Sequence, residues 1–181
     1  DAGLYSEYGV KRGLRDKNGQ GVLAGITNIS LIKSSENKDG NIVPCDGQLY
    51  YRGYNIYDLI HNFNQDKRFG FEETTYLLLF GELPTKKQLE QFENDIRKYT
   101  LVSEEMKNII DGFPRTAHPM GVLSSLTSAL TAFNPKAVNP HNQKDMYDAV
   151  CKTMAKFIVI ATWTYRKTMG YPLNYYDNTK G

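Results

Sequence analysis

The chain has 181 residues, 40% of them hydrophobic and 23% charged, with a formal net charge of +2. That length fits one domain able to bury roughly 70% of its unfolded surface. So small a charge, with Lys and Arg scattered, gives no footprint for nucleic acid or an anionic membrane.

Further classes are excluded by what the sequence lacks. No run of 18 apolar residues is present, so no membrane-spanning helix is expected. The first residues, Asp1-Ala2-Gly3-Leu4-Tyr5-Ser6, have no basic segment leading into an apolar run, so no signal peptide is read there. The chain begins with Asp rather than an initiator Met, which points to residues preceding it in a parent protein. The three histidines, His61, His118 and His141, do not cluster at metal-ligand spacing, and no metal site is expected. Cys45 and Cys151 lie far apart and form no Cys-x-x-Cys; a disulfide is geometrically open but nothing requires one, and a reducing, cytoplasmic setting is the expectation. The 13 tyrosines are dispersed beside apolar positions and read as packing residues rather than a base-stacking platform.

In chain order, residues 1–20 are polar and glycine-rich and read as an arm. Residues 22–30 alternate and carry Ile and Thr, which predicts a strand; residues 33–41 hold turn formers and predict a loop; residues 48–52 predict a second short strand. The resulting hairpin is too small to stand alone. From Ile56 the period becomes helical: Ile56, Leu59, Ile60 and Phe63 share a face, with Asn55 as N-cap. Residues 71–80 are apolar on nearly all sides and predict a buried helix ended by Gly81. Thr85 and Gln88 form a capping box for a helix whose core face is Leu89, Phe92, Ile96 and Tyr99. Ser103 caps a short helix with Glu104 and Glu105 in its first turn and Met106, Ile109 and Ile110 facing inward.

The next helix opens at His118-Pro119, with proline where its missing N–H costs nothing, and runs to Phe133. Its small residues would let another helix come close. Asn134-Pro135 and Asn139-Pro140 mark a loop, and a long helix follows from about residue 144 to Met169, stopped by Gly170 and Pro172. Its expected buried stripe is Met146, Ala149, Val150, Thr153, Phe157, Ile160 and Thr164. Residues 174–181 have no period and read as exposed loop. The fold class is therefore mostly α with a small N-terminal β-hairpin.

Groups for chemistry are sparse. There is no Gly-x-Gly-x-x-Gly after a strand, no phosphate-binding Gly-x-x-x-x-Gly-Lys-Ser/Thr and no Gly-x-Ser-x-Gly elbow. His118 is the best single acid–base candidate, but no acid or nucleophile accompanies it at a useful spacing, and the imidazole is expected to cap or pack at its helix start. His61 and His141 read as solvent-facing, and Glu72-Glu73 and Glu104-Glu105 as first-turn charges. Arg15, in the glycine-rich arm, is placed to reach a phosphate, though its residue-level reading is a solvated loop arginine. Arg52 reads as a structural donor to nearby carbonyls or carboxylates.

Three groups of residues, taken together, carry a family resemblance. They are Gly13-Leu14-Arg15 with residues 21–27 and Tyr51-Arg52-Gly53-Tyr54-Asn55-Ile56; residues 71–85, Phe71 to Thr85; and Phe113-Pro114, His118-Pro119-Met120 and Ser128-Ala129-Leu130. Over roughly residues 13 to 170 the chain resembles the N-terminal part of the large domain of the citrate synthase family. The resemblance implies a mostly helical homodimer that condenses acetyl-CoA with oxaloacetate to give citrate and CoA, using an Asp base and two His residues, with arginines on the carboxylates and no metal or covalent cofactor. It implies further that the catalytic motifs (Asp-His-Glu, Gly-Pro-x-His-Gly and Gly-His-Arg) lie downstream, since none occurs here. No catalytic residue is then expected in this chain, and His118 matches a large-domain position that is not catalytic. Arg15 aligns with an arm arginine that contacts CoA in some members. The chain departs from the family pattern at residues 33–47, longer than the usual hairpin connection.

The expectation is an arm over 1–20, a hairpin and turn over 21–54 and an incomplete helical large domain over 55–181, inactive alone and ending at Gly181 ahead of the catalytic groups. The alternatives are a 2-methylcitrate synthase fragment acting on propionyl-CoA, or a non-catalytic helical interaction module. The fragment reading predicts apolar surface left uncovered.

Overall fold

A computed structural model describes residues 2–19, 21–135, 141–175 and 177, so Asn139-Pro140 and most of the 174–181 tail lie outside the described residues. Among the described residues there are seven helices and one three-stranded antiparallel sheet, in the order α1, β1, β2, β3, α2 to α7. Residues up to Thr85 and residues from Lys86 onward form two compact units.

In the first unit, the arm contains a short helix, α1 (Ala2–Glu7), which its polar composition did not predict. The expected strand over 22–30 does not form. Gly21 bridges to Arg15, the following residues are irregular, and the Thr27 hydroxyl takes the Ile29 N–H at 3.1 Å, a local turn that competes with strand pairing. Strand β1 starts where that turn ends and runs Ser30–Lys38; β2 is Asn41–Tyr51 and β3 is Tyr54–Asn55. The stretch expected to be a loop is thus two strand arms around a two-residue turn, Asp39-Gly40, with φ of 52° and 86°. A two-residue turn with positive φ at both positions matches the right-handed twist of its strands, and Asp-Gly is the sequence pair that favours it. Arg52-Gly53, with φ of 49° and 90°, repeats the device between β2 and β3. An irregularity sets Lys33 opposite Gln48 but Ser35 opposite Pro44, so Pro44 stands beside a break in the ladder, where its missing N–H is tolerated.

Helix α2 (Ile56–Gln65) begins as expected, with the Asn55 side chain accepting the Tyr57 N–H at 2.9 Å. Leu59 is buried, Ile56 and Phe63 half-buried, and Ile60 faces out. Helix α3 (Phe71–Phe80) has the expected span and ends on Gly81 in the left-handed region, φ 89°. Its burial is a correction: only Leu77 is fully enclosed, while Phe71, Leu79 and Phe80 stay exposed. The helix is apolar all round, but the chain supplies cover for one side.

The second unit has α4 (Lys86–Arg97), α5 (Glu104–Gly112), α6 (Pro119–Phe133) and α7 (Gln143–Met169). Helix α4 starts directly after Thr85, and α5 starts where Ser103 accepts the Met106 N–H at 3.4 Å. One cluster holds α5, α6 and α7 together: Met106 and Ile110; Val122, Leu126 and Leu130; Val159, Ile160 and Trp163, with Val102 beside them. The small residues of α6 let α7 lie against it, as the sequence implied. Ile109 faces out instead of in. The buried stripe of α7 is Cys151, Ala155, Val159, Ile160, Trp163 and Thr164, so Ile160 and Thr164 are expected members, while Met146, Thr153 and Phe157 are exposed. The 27-residue helix carries apolar residues on more than one face, and contact with α4, α5 and α6, not periodicity, selects which is buried. The start of the tail is docked rather than free: Trp163 donates from Nε1 to the Asn174 carbonyl at 2.6 Å, and Tyr175 meets the indole edge-on.

Candidate functional site

Among the described residues, no group of three or more His, Cys, Asp or Glu side chains is placed to hold a metal ion, and no helix is long and apolar enough to cross a membrane. The sequence-derived candidates divide by unit. Arg15 is exposed, and its guanidinium donates to the Gly19 carbonyl at 2.8 Å, closing its own loop. Arg52 reaches the last turn of α3, donating to the Leu78 carbonyl from Nε at 3.2 Å and Nη2 at 2.8 Å, and from Nη1 to Asn28 Oδ1 at 3.3 Å. It serves a carbonyl that the helix end leaves without an intrahelical donor, the structural role read from its sequence. His118 is the N-cap of α6: its Nδ1 accepts the Met120 N–H at 3.3 Å, which occupies the lone pair a base would need. His61 meets Gln65 and is exposed, as is His141.

Two side-chain clusters were not singled out in the sequence. The first joins α4 to α7. Asp95 accepts from Lys98 Nζ at 2.6 Å, from Gln91 Nε2 at 3.0 Å and from the Tyr147 hydroxyl at 3.0 Å. The Lys98 bond is the main cause holding the Asp95 carboxyl below the usual carboxylate range, with Gln91 and Tyr147 adding to it against partial burial. Burial, then the bond to Asp95, pushes the Tyr147 phenol well above its ordinary value, and burial pushes the Cys151 thiol up to about 11. A carboxylate kept ionised and a phenol kept neutral make a joint between helices rather than a proton-transfer pair.

The second cluster is the groove beside the C-terminal end of α6. Two cavities, about 190 and 270 Å³, share Phe133, Asn134 and Lys152. The larger is floored by Val102, Met106 and Leu130 and rimmed by Tyr99, Ser103 and Lys156. Lys152 and Lys156 are one turn apart on α7 and share this side of the helix. Lys152 sits over the Tyr99 ring at 5.1 Å, and Lys156 donates to the Leu101 carbonyl at 2.6 Å. Burial first and the neighbouring Lys152 charge second lower the Lys156 pKa. An apolar floor with two amines at the rim can receive a small molecule that is anionic at one end and apolar at the other. Both cavities are smaller than the roughly 300–1,000 Å³ of most small-molecule sites. Neither lysine motif nor period marked this groove, because it is assembled from three separate segments.

Comparison with known proteins gives the wider setting. The family model described as citrate synthase, C-terminal domain, matches residues 14–181. Citrate synthase 1 of Mycobacterium tuberculosis is 39% identical over 158 residues, covering 86% of this chain and 34% of that protein. The chain thus spans about a third of the length of the curated relatives it matches. Among solved structures, citrate synthase from Pyrobaculum aerophilum superposes with a TM-score of 0.70 at 26% identity, covering 95% of this chain and 43% of that one. The ternary complex of carboxymethyl coenzyme A and oxaloacetate with citrate synthase from Thermoplasma acidophilum gives 0.68 at 23% identity, over 85% and 36% of the two chains, a likeness of fold.

Proposed function

The chain belongs to the citrate synthase family, and from that premise we propose that it is an N-terminal segment of the large domain of an enzyme that condenses acetyl-CoA with oxaloacetate to citrate and CoA. The observation that carries this reading is the continuous family match over residues 14–181 in a chain without the Asp-His-Glu, Gly-Pro-x-His-Gly and Gly-His-Arg motifs. In this reading the segment supplies framework, and the acid–base groups reside in the two thirds of the relatives that it does not span. The clusters around Asp95 and Lys156 fit that division, since one locks two helices and the larger cavity of the other has no carboxylate or imidazole in its lining.

The reading extends to substrates and assembly. The ligands in the Thermoplasma acidophilum complex, a CoA derivative and oxaloacetate, are of the classes proposed as substrates of the parent protein. Arg15 is proposed to exchange its Gly19 carbonyl for a CoA phosphate, a change its exposed position on a loop permits. A homodimer is proposed because apolar side chains on α6 and α7, among them Met120, Phe133, Phe157 and Ile158, stand exposed and call for cover. A cytoplasmic setting is proposed with it because free Cys45 and Cys151 fit a reducing compartment. The test is a chimera in which this chain replaces the matched 158 residues of Citrate synthase 1 of Mycobacterium tuberculosis. We expect a folded chimera that releases CoA from acetyl-CoA and oxaloacetate, more weakly when Arg15 is changed to Ala. A folded chimera that binds both substrates but forms no citrate would overturn the framework role.

A further inference from the structure

We propose that Lys156 is a site of acylation by acyl thioesters, with the cavity between α5, the end of α6 and α7 receiving the acyl chain and Lys152 attracting the anionic part of the donor. Three observations converge on it. The amine stands at the rim of a cavity of about 270 Å³ whose floor, Val102, Met106 and Leu130, is apolar and suits a short acyl chain. It is half-buried, and its hydrogen bond to the Leu101 carbonyl at 2.6 Å uses an N–H and leaves the nitrogen lone pair free once the amine is neutral. No carboxylate among the described residues pairs with Lys156 or Lys152; Lys152 lies over the Tyr99 ring at 5.1 Å.

Partial burial and the neighbouring Lys152 charge favour the neutral amine. On α7 the near charge is Lys152, one turn back, with Asp145 and Asp148 beside Lys152 in the adjoining cavity of about 190 Å³. The turn after α4 contributes Tyr99, α5 and its N-cap contribute Met106 and Ser103, and α6 and its C-cap contribute Leu130, Phe133 and Asn134, none of them anionic. Partial burial and an adjacent cation are the two conditions that turn lysine into a nucleophile at moderate pH. They act in the same direction here.

The chemistry is self-contained. The neutral Nζ attacks the thioester carbonyl, a C–N bond forms, the C–S bond breaks, and the thiol departs with the proton shed by the nitrogen. The product is a neutral amide in the groove, and no oxidant, metal or other reactant is needed. Acetyl-CoA is the natural donor under the proposed function, and the choice of donor rests on that reading; the reactivity of the amine does not.

The test incubates the full 181-residue chain with acetyl-CoA or, separately, with S-acetyl-N-acetylcysteamine, a thioester lacking phosphates, and measures acetyl occupancy at each lysine by peptide mass spectrometry. Lys156 is expected to lead exposed Lys11 and Lys17 several-fold with both donors, and the lead should vanish when the chain is unfolded in urea. The lead should be larger with acetyl-CoA and shrink in Lys152→Gln. Occupancy at Lys156 equal to or below that of Lys11 and Lys17 overturns the proposal, and equal leads with the two donors overturn the role given to Lys152. An inactive chimera in the citrate assay leaves this ranking untouched, so failure of the one reading is distinguishable from failure of the other.

Discussion

The two compact units are built on opposite terms. From Lys86 onward, α5, α6 and α7 enclose a shared apolar cluster and α4 buries Phe92; Phe92, Met106, Ile110, Leu126, Ile160 and Trp163 are each no more than 2% exposed. Up to Thr85, full enclosure among the described residues reaches only Leu59 and Leu77, while Leu31, Ile32, Ile42, Phe69 and Phe71 stand in solvent. The first unit is held in shape chiefly by turn geometry and directed hydrogen bonds, of which the Arg52 grip on the Leu78 carbonyl is the central one. The difference teaches that regular secondary structure and a closed core are separate achievements: the hairpin and α3 form, yet much of their apolar surface is left for something else to cover.

The comparison is broken most forcefully by removing the centre of the second unit. Trp163→Ala takes out a buried indole and its 2.6 Å bond to Asn174, and should cost about 3–5 kcal/mol, read as a shift of the urea midpoint of the helical unit. Arg52→Ala should cost about 1.5–3 kcal/mol, confined to the first unit. Arg52→Gly sharpens the point, because it keeps the left-handed turn (φ 49°) and loses only the grip. Its cost should be the smaller of the two, and a larger cost would show that the turn does not limit this unit. Removing the α2 cap with Asn55→Ala should cost about 1 kcal/mol by the same denaturation.

Smaller effects follow from titration. Asp95 has a folded pKa below its ordinary value, so its contribution is complete above the ordinary carboxylate range and fades as pH falls through the depressed folded value. Asp95→Asn should flatten the acid side of the stability profile and leave the profile near neutrality little changed in slope. Cys151, buried and pushed up to about 11, should resist thiol reagents in the folded chain, whereas half-buried Cys45 reacts first. Equal rates for the two thiols would show that α7 opens as readily as the hairpin.

Much of this was legible in the residues, for local reasons. Asn55, Ser103, Pro119, Gly81 and Gly170 fixed helix ends because capping and left-handed termination depend on one or two neighbours. The hairpin was displaced because alternation over 22–30 outweighed Asp39-Gly40, a two-residue turn signal that specifies both strands around it. Burial on α3 and α7 differs from the sequence expectation for another reason. A helix with apolar residues on several faces states that something must cover them, but the covering element is chosen by tertiary contact, as Cys151, Ala155 and Val159 show on α7. The same limit hid the groove at Lys156: its residues come from Tyr99 to Met106, from Leu130 to Asn134 and from α7, and no spacing in the sequence announces their meeting.

The most direct measurement is the citrate synthase assay on the purified 181-residue chain, produced in a host without its own enzyme and supplied with acetyl-CoA and oxaloacetate. A framework segment whose catalytic groups lie elsewhere should release no CoA above the level of acetyl-CoA alone. Oxaloacetate-dependent release of CoA that copurifies with the chain would contradict the account and place the catalytic groups within these residues.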